Sequence, residues 1–113
     1  MKKEFTFLLL KALQYNGHQN NRVFVLSIPD WAHTPFAQKK STESGLNLLE
    51  ISAQIDAFNE VIKKRCEDME IELIYITDFT RNCAPEMIAQ DGLHYSANMH
   101  QIWAGLLLEK FIL

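Results

Sequence analysis

Apolar side chains along this chain recur at two spacings, and together they divide it into helices and strands. Phe5, Leu8, Leu9, Ala12 and Leu13 repeat at helical spacing and predict an amphipathic helix over residues 3–15. Asn16-Gly17 supplies a left-handed stop. A core-facing helix accounts for this stripe better than a membrane-surface helix does. Residues 22–28, RVFVLSI, are a β-branched and aromatic run ended by Pro29. Near-continuous apolarity of that kind marks a strand buried on both faces, as in a parallel sheet. Leu48, Ile51, Ile55, Phe58, Ile62 and Cys66 form the stripe of a long second helix, with Asn47 and Glu50 in capping-box positions. Lys63, Lys64, Glu67 and Asp68 fall largely off the stripe, toward solvent. Residues 72–77, ELIYIT, read as a second strand, and Asp78 follows it as a cap or as a supporting acid. Residues 82–90 predict a short helix with Pro85 in its first turn. Met99, Ile102, Trp103, Leu106, Leu107 and Phe111 predict the buried face of a last helix, with Ser96 as its N-cap.

Residues 29–45 separate the first strand from the second helix and read as a long loop. Loops at the carboxyl ends of buried strands are where α/β proteins usually bind ligands. Trp31, His33 and Phe36 either line a pocket there, or Trp31 and Phe36 cap the core while His33 is solvated. The polar run from Gln38 to Gly45 reads as mobile. Alternating strands and helices predict an α/β fold with a parallel sheet.

Length and composition narrow the function classes. The chain has 113 residues, read as one domain over 1–113. Hydrophobic residues make up 48% of it, which excludes a disordered chain. A net charge of −3 argues against a nucleic-acid partner. Cys66 and Cys83 lack metal-type spacing and read as reduced thiols, which favours a cytoplasmic location. The apolar run after Met1-Lys2-Lys3 is interrupted by Glu4 and Lys11, unlike a secretory signal. No segment is long enough for a membrane span.

The stretch with chemical content is Asp91-Gly92-Leu93-His94. A carboxylate three residues before an imidazole, in a turn, can fix the ring's tautomer and steady its protonated form. The alternative is a solvated turn before a helix. A metal site from Asp91 and His94 with His33 or His100 is a weaker reading, because no second His pair or Cys cluster supports it. No metal or cofactor is expected, and His100 is given no role.

Three stretches, VFVLSIPDWAHTPF (23–36), IDAFNEVIKKRCEDMEIELIYITD (55–78) and DGLHYSANMHQIW (91–103), resemble in order and spacing the C-terminal portion of SGNH hydrolases, the GDSL-type lipases and esterases. The resemblance implies a three-layer α/β/α sandwich with a parallel, flavodoxin-like sheet. It implies ester hydrolysis through an acyl-enzyme without a cofactor, with His94 as general base and Asp91 as the acid that orients it. The family's Gly-Asp-Ser nucleophile block and Gly-x-Asn-Asp oxyanion block are absent, and Tyr95 stands where the family usually has Pro. Ser27, Ser41, Ser44, Ser52 and Ser96 do not sit in a strand-to-helix nucleophile elbow. The resemblance therefore covers a domain whose N-terminal half is missing from this sequence. The chain alone is expected to be inactive. It would act on a small-molecule ester only when that half is supplied, and exposed edges favour homo-oligomers or pairing with an N-terminal fragment. The alternative is a non-catalytic α/β assembly or binding module.

Overall fold

The computed structural model describes residues 2–111. In chain order they form α1 (Lys2–Tyr15), β1 (Phe24–Leu26), α2 (Pro35–Ser44), α3 (Leu48–Asp68), β2 (Glu72–Ile74) and α4 (Ala97–Phe111). Single 3-10 turns lie at Asn20–Arg22, Trp31–His33, Thr77–Thr80 and Pro85–Met87. The strands pair in parallel, with Phe24 opposite Glu72 and Leu26 opposite Ile74. The fold is α/β, with helix predominating over a small two-stranded sheet.

The pleat directs the strands' side chains to two sides. Val25 and Leu73 pack with Leu9 and Leu13 of α1 and with Ile62 and Cys66 of α3, the main core cluster. Phe24 and Glu72 point the other way and meet the end of α4. The Phe24 and Phe111 rings lie 4.8 Å apart, and the Lys110 ammonium is 3.1 Å from Glu72. Cys66 is a buried thiol, and burial raises its pKa, as suits a small hydrophobe.

Both strands are shorter than their apolar runs, and the cause is side-chain competition for the backbone. After Leu26 and Ile74 the ladder makes one more bond, Ser27 N–H to the Ile74 carbonyl at 3.1 Å. Beyond it the Ser27 hydroxyl accepts from the N–H groups of Ile76 and Thr77. Asn59 of α3 takes over Ile28: its Oδ1 accepts from Ile28 N–H at 2.8 Å and its Nδ2 faces the Ile28 carbonyl at 3.3 Å. Asn59 Nδ2 also donates to the Thr77 hydroxyl at 2.9 Å. Asn59 is thus buried in α3, whereas Phe58, assigned to the core stripe by spacing, is 42% exposed. Asn59→Ala is expected to cost about 2 kcal/mol, since it strands the Ile28 N–H, while the Ile28 carbonyl and the Thr77 hydroxyl keep each other. Chemical denaturation checks this. A change within a few tenths of a kcal/mol would contradict the clamp.

Residues 35–44 are a helix, not a loop. Thr34 caps it by accepting from Ala37 N–H, Pro35 occupies the first turn, and Gly45 closes it at φ 73°. The polar composition hid it, because only Ala37 of this helix is buried. The helix expected over 82–90 is reduced to one 3-10 turn starting at Pro85. Ser96 does not cap α4 through its side chain. Its hydroxyl donates to the Glu86 carbonyl at 2.6 Å. In α4, Met99 is fully buried, Trp103 half-buried and Phe111 largely exposed.

Candidate functional site

Asp91 and His94 meet in a turn that the backbone itself builds. Gly92 N–H donates to the Ala89 carbonyl and Ala89 N–H to the His94 carbonyl, closing residues 89–94 on themselves. Gly92 adopts φ 74°, a region open to glycine at no steric cost. Its carbonyl accepts from Phe36 N–H at 3.0 Å, which ties the turn to the start of α2. Asp91 Oδ1 accepts from the N–H groups of Leu93 and His94, each at 2.9 Å. Its other oxygen, Oδ2, lies 2.5 Å from His94 Nδ1. The backbone bonds aim the carboxylate, and the carboxylate aims the ring, leaving Nε2 as the ring nitrogen that Asp91 does not engage.

The pair is open to solvent. The His94 side chain is 76% exposed and that of Asp91 51%. The His94 bond, then the two backbone N–H donors, hold the Asp91 carboxyl down to about 2. A depressed carboxyl pKa stabilises the fold above its unfolded value, and that contribution is lost as pH falls through the folded value. The Asp91–His94 contribution is therefore expected to be complete above about pH 4 and to fade toward pH 2. Observing the Asp91 carboxyl carbon by NMR checks this. The expected midpoint is near 2, moving upward in His94→Ala. A midpoint in the ordinary carboxylate range with His94 present would contradict the geometry.

Beside the pair lies an apolar cleft of about 470 Å³, lined by Ile28, Pro29, Trp31, Phe36, Leu93 and His94. This is the size of a small-molecule site. It opens past the carboxyl end of β1, and His94 supplies its polar edge. Trp31 and Phe36 take the lining role proposed for them from the loop's position. His33 does not. Its Nδ1 is 3.2 Å from Asn82 Oδ1 and its Nε2 is 3.5 Å from Asp30 Oδ2, so it turns to the polar interior.

That interior centres on Asp30, whose side chain is 0% exposed. Asp30 Oδ1 accepts from Ala32 N–H, and Oδ2 from the Ser52 hydroxyl at 2.7 Å and Arg81 Nε at 2.9 Å. Arg81 reaches on to Asp56 at 2.7 Å. Burial pushes the Asp30 carboxyl up, but the Ser52, Arg81 and Ala32 bonds outweigh it and leave the group below its ordinary value. Asp56 first, then Asp30, raise the Arg81 guanidinium, so it stays charged. The network braces the Trp31–His33 turn and so fixes one wall of the cleft. Sequence patterns did not reveal it, because its members come from three separate segments. Tyr95, next to His94, has its hydroxyl buried, and burial pushes that group up to about 12. Its ring packs edge-on against Trp103 at 5.4 Å.

Among the described residues, no serine, threonine or cysteine side chain hydrogen-bonds the His94 ring. Ser27 and Ser52 serve the buried networks, Ser96 holds Glu86, and Ser44 turns back to Lys40 within its helix. Among the described residues no three His, Cys, Asp or Glu side chains converge as a metal site. Asp78 lies at the surface, 3.7 Å from Arg81. No helix among the described residues is long and apolar enough to cross a membrane.

No protein-family model matches the sequence, and no curated protein or solved structure does either.

Proposed function

We propose that this chain carries the general-base half of an ester-hydrolysing site, as the C-terminal portion of an SGNH-type hydrolase. The observation that carries this reading is the Asp91–His94 pair, bonded through Nδ1 at the rim of an apolar cleft. Such a pair lets Nε2 take a hydroxyl's proton during attack and return it to the leaving alkoxide. The cleft's walls, Trp31, Phe36 and Leu93, suit an uncharged hydrocarbon acyl group. Helices approaching the strands from two sides are compatible with the family's three-layer sandwich.

The nucleophile and the oxyanion donors come, on this reading, from a second polypeptide segment. The outer edges of the two-stranded sheet and the exposed Leu108 and Phe111 of α4 offer it surface to bind. A second copy of the chain is the other partner those edges suit.

Mixing the chain with a polypeptide bearing the Gly-Asp-Ser and Gly-x-Asn-Asp blocks of an SGNH hydrolase tests the proposal, with p-nitrophenyl octanoate as substrate. Turnover should arise in the associated mixture and disappear with His94→Ala. An associated complex with no turnover, or turnover indifferent to His94, would overturn it. The chain alone should stay at the buffer rate.

A further inference from the structure

Helix α1 buries one face and leaves a second apolar face in solvent. Leu9 and Leu13, with Phe5 and Ala12, pack into the core. Lys3, Phe7, Leu10, Lys11 and Gln14 recur three or four residues apart on the opposite side. Phe7 is 57% exposed and Leu10 54%. With Lys2, Lys3 and Thr6 they line a shallow groove. Lys11 reaches over the Phe7 ring, its ammonium 5.6 Å from the centroid. The apolar pair is thus bracketed by lysines at both ends.

We propose that this face of α1 docks on an anionic lipid surface, with Phe7 and Leu10 entering the headgroup boundary and Lys2, Lys3 and Lys11 pairing with lipid phosphates. A core-facing helix has no use for exposed Phe7 and Leu10, whereas an interfacial helix places apolar side chains between basic ones. Charge selects the occupant. α1 has three lysines against one glutamate, while the chain as a whole is at −3. Self-pairing of two α1 faces in a second copy would set lysines against lysines. A bilayer rich in negative headgroups neutralises them and accepts the two apolar side chains. The docking is peripheral and reversible, because two inserted side chains and three charges give a modest anchor. It does not depend on the ester-hydrolase reading.

Cosedimentation of the full chain with vesicles tests it. Vesicles of equimolar phosphatidylglycerol and phosphatidylcholine should retain the chain, pure phosphatidylcholine should not, and high salt should release it. Replacing Lys2, Lys3 and Lys11 by Gln should weaken partitioning roughly a hundredfold, about fivefold per lysine. Phe7→Ser with Leu10→Ser should abolish retention while circular dichroism stays unchanged, since both side chains are exposed. Three results would overturn the proposal: no retention by anionic vesicles, equal retention by neutral ones, or retention unaffected by both sets of substitutions. Self-association of the free chain that the serine substitutions abolish would also overturn it, by assigning the face to a second copy.

Discussion

Replacing Arg81 by methionine is expected to destabilise the fold by about 3 to 5 kcal/mol, the usual cost of leaving one member of a buried ion pair unpaired. Among the described residues, Arg81 is the one cation bonded to the fully buried Asp30 carboxylate at ordinary hydrogen-bond length, through Nε at 2.9 Å. His33 is farther off, at 3.5 Å. Without Arg81, Asp30 keeps the Ser52 hydroxyl and Ala32 N–H as its close donors among the described residues. A domain of this size is stable by about 5 to 15 kcal/mol, so the substitution removes a large share. Asp30→Asn together with Arg81→Met should recover part of the loss, because no uncompensated charge then remains. Urea denaturation of Arg81→Met, Asp30→Asn and the double variant reads this directly. Additive losses would show that the two groups do not act as a pair.

Under the proposed function, removing His94 is expected to have the largest chemical effect. In the mixture with a nucleophile-bearing segment, His94→Ala should lower turnover on the order of a millionfold, and Asp91→Asn on the order of ten-thousandfold. On the proposed reading Asp91 acts by holding the ring, so its loss costs less than loss of the ring itself. A third variant, Gln90→Ala, alters an exposed side chain beside the turn and should leave turnover unchanged. Rates from p-nitrophenyl octanoate with the three variants separate the roles. Equal, small losses for His94→Ala and Asp91→Asn would contradict a general-base pair.

The helices with a regular apolar stripe were legible in the sequence. α1, α3 and α4 each begin and end within a few residues of their expected bounds. The shortening of the strands was not legible, because it comes from long-range bonds made by Ser27, Asn59 and Thr77. Periodicity sees neighbours along the chain and cannot see a polar side chain arriving from another element. The helix of residues 35–44 carried its signals, Thr34, Pro35 and Gly45, but its polar surface lacked the apolar stripe that draws attention to helices. At the candidate site, Asp91 and His94 were legible because a four-residue turn brings them together. Trp31 and Phe36 followed from their place after β1. The Asp30, Ser52, Asp56 and Arg81 network had no local pattern, since folding alone brings those residues together.

Nitrogen NMR of the His94 ring tests most directly whether this imidazole is poised to accept a proton at the cleft. With the neutral ring, the expected spectrum places the proton on Nδ1, facing Asp91, and leaves Nε2 bare. Adding an octanoyl ester analogue should then shift Nε2 together with the backbone signals of Leu93 and Phe36. A ring protonated on Nε2, or one whose signals ignore the analogue while other surfaces respond, would contradict the general-base assignment.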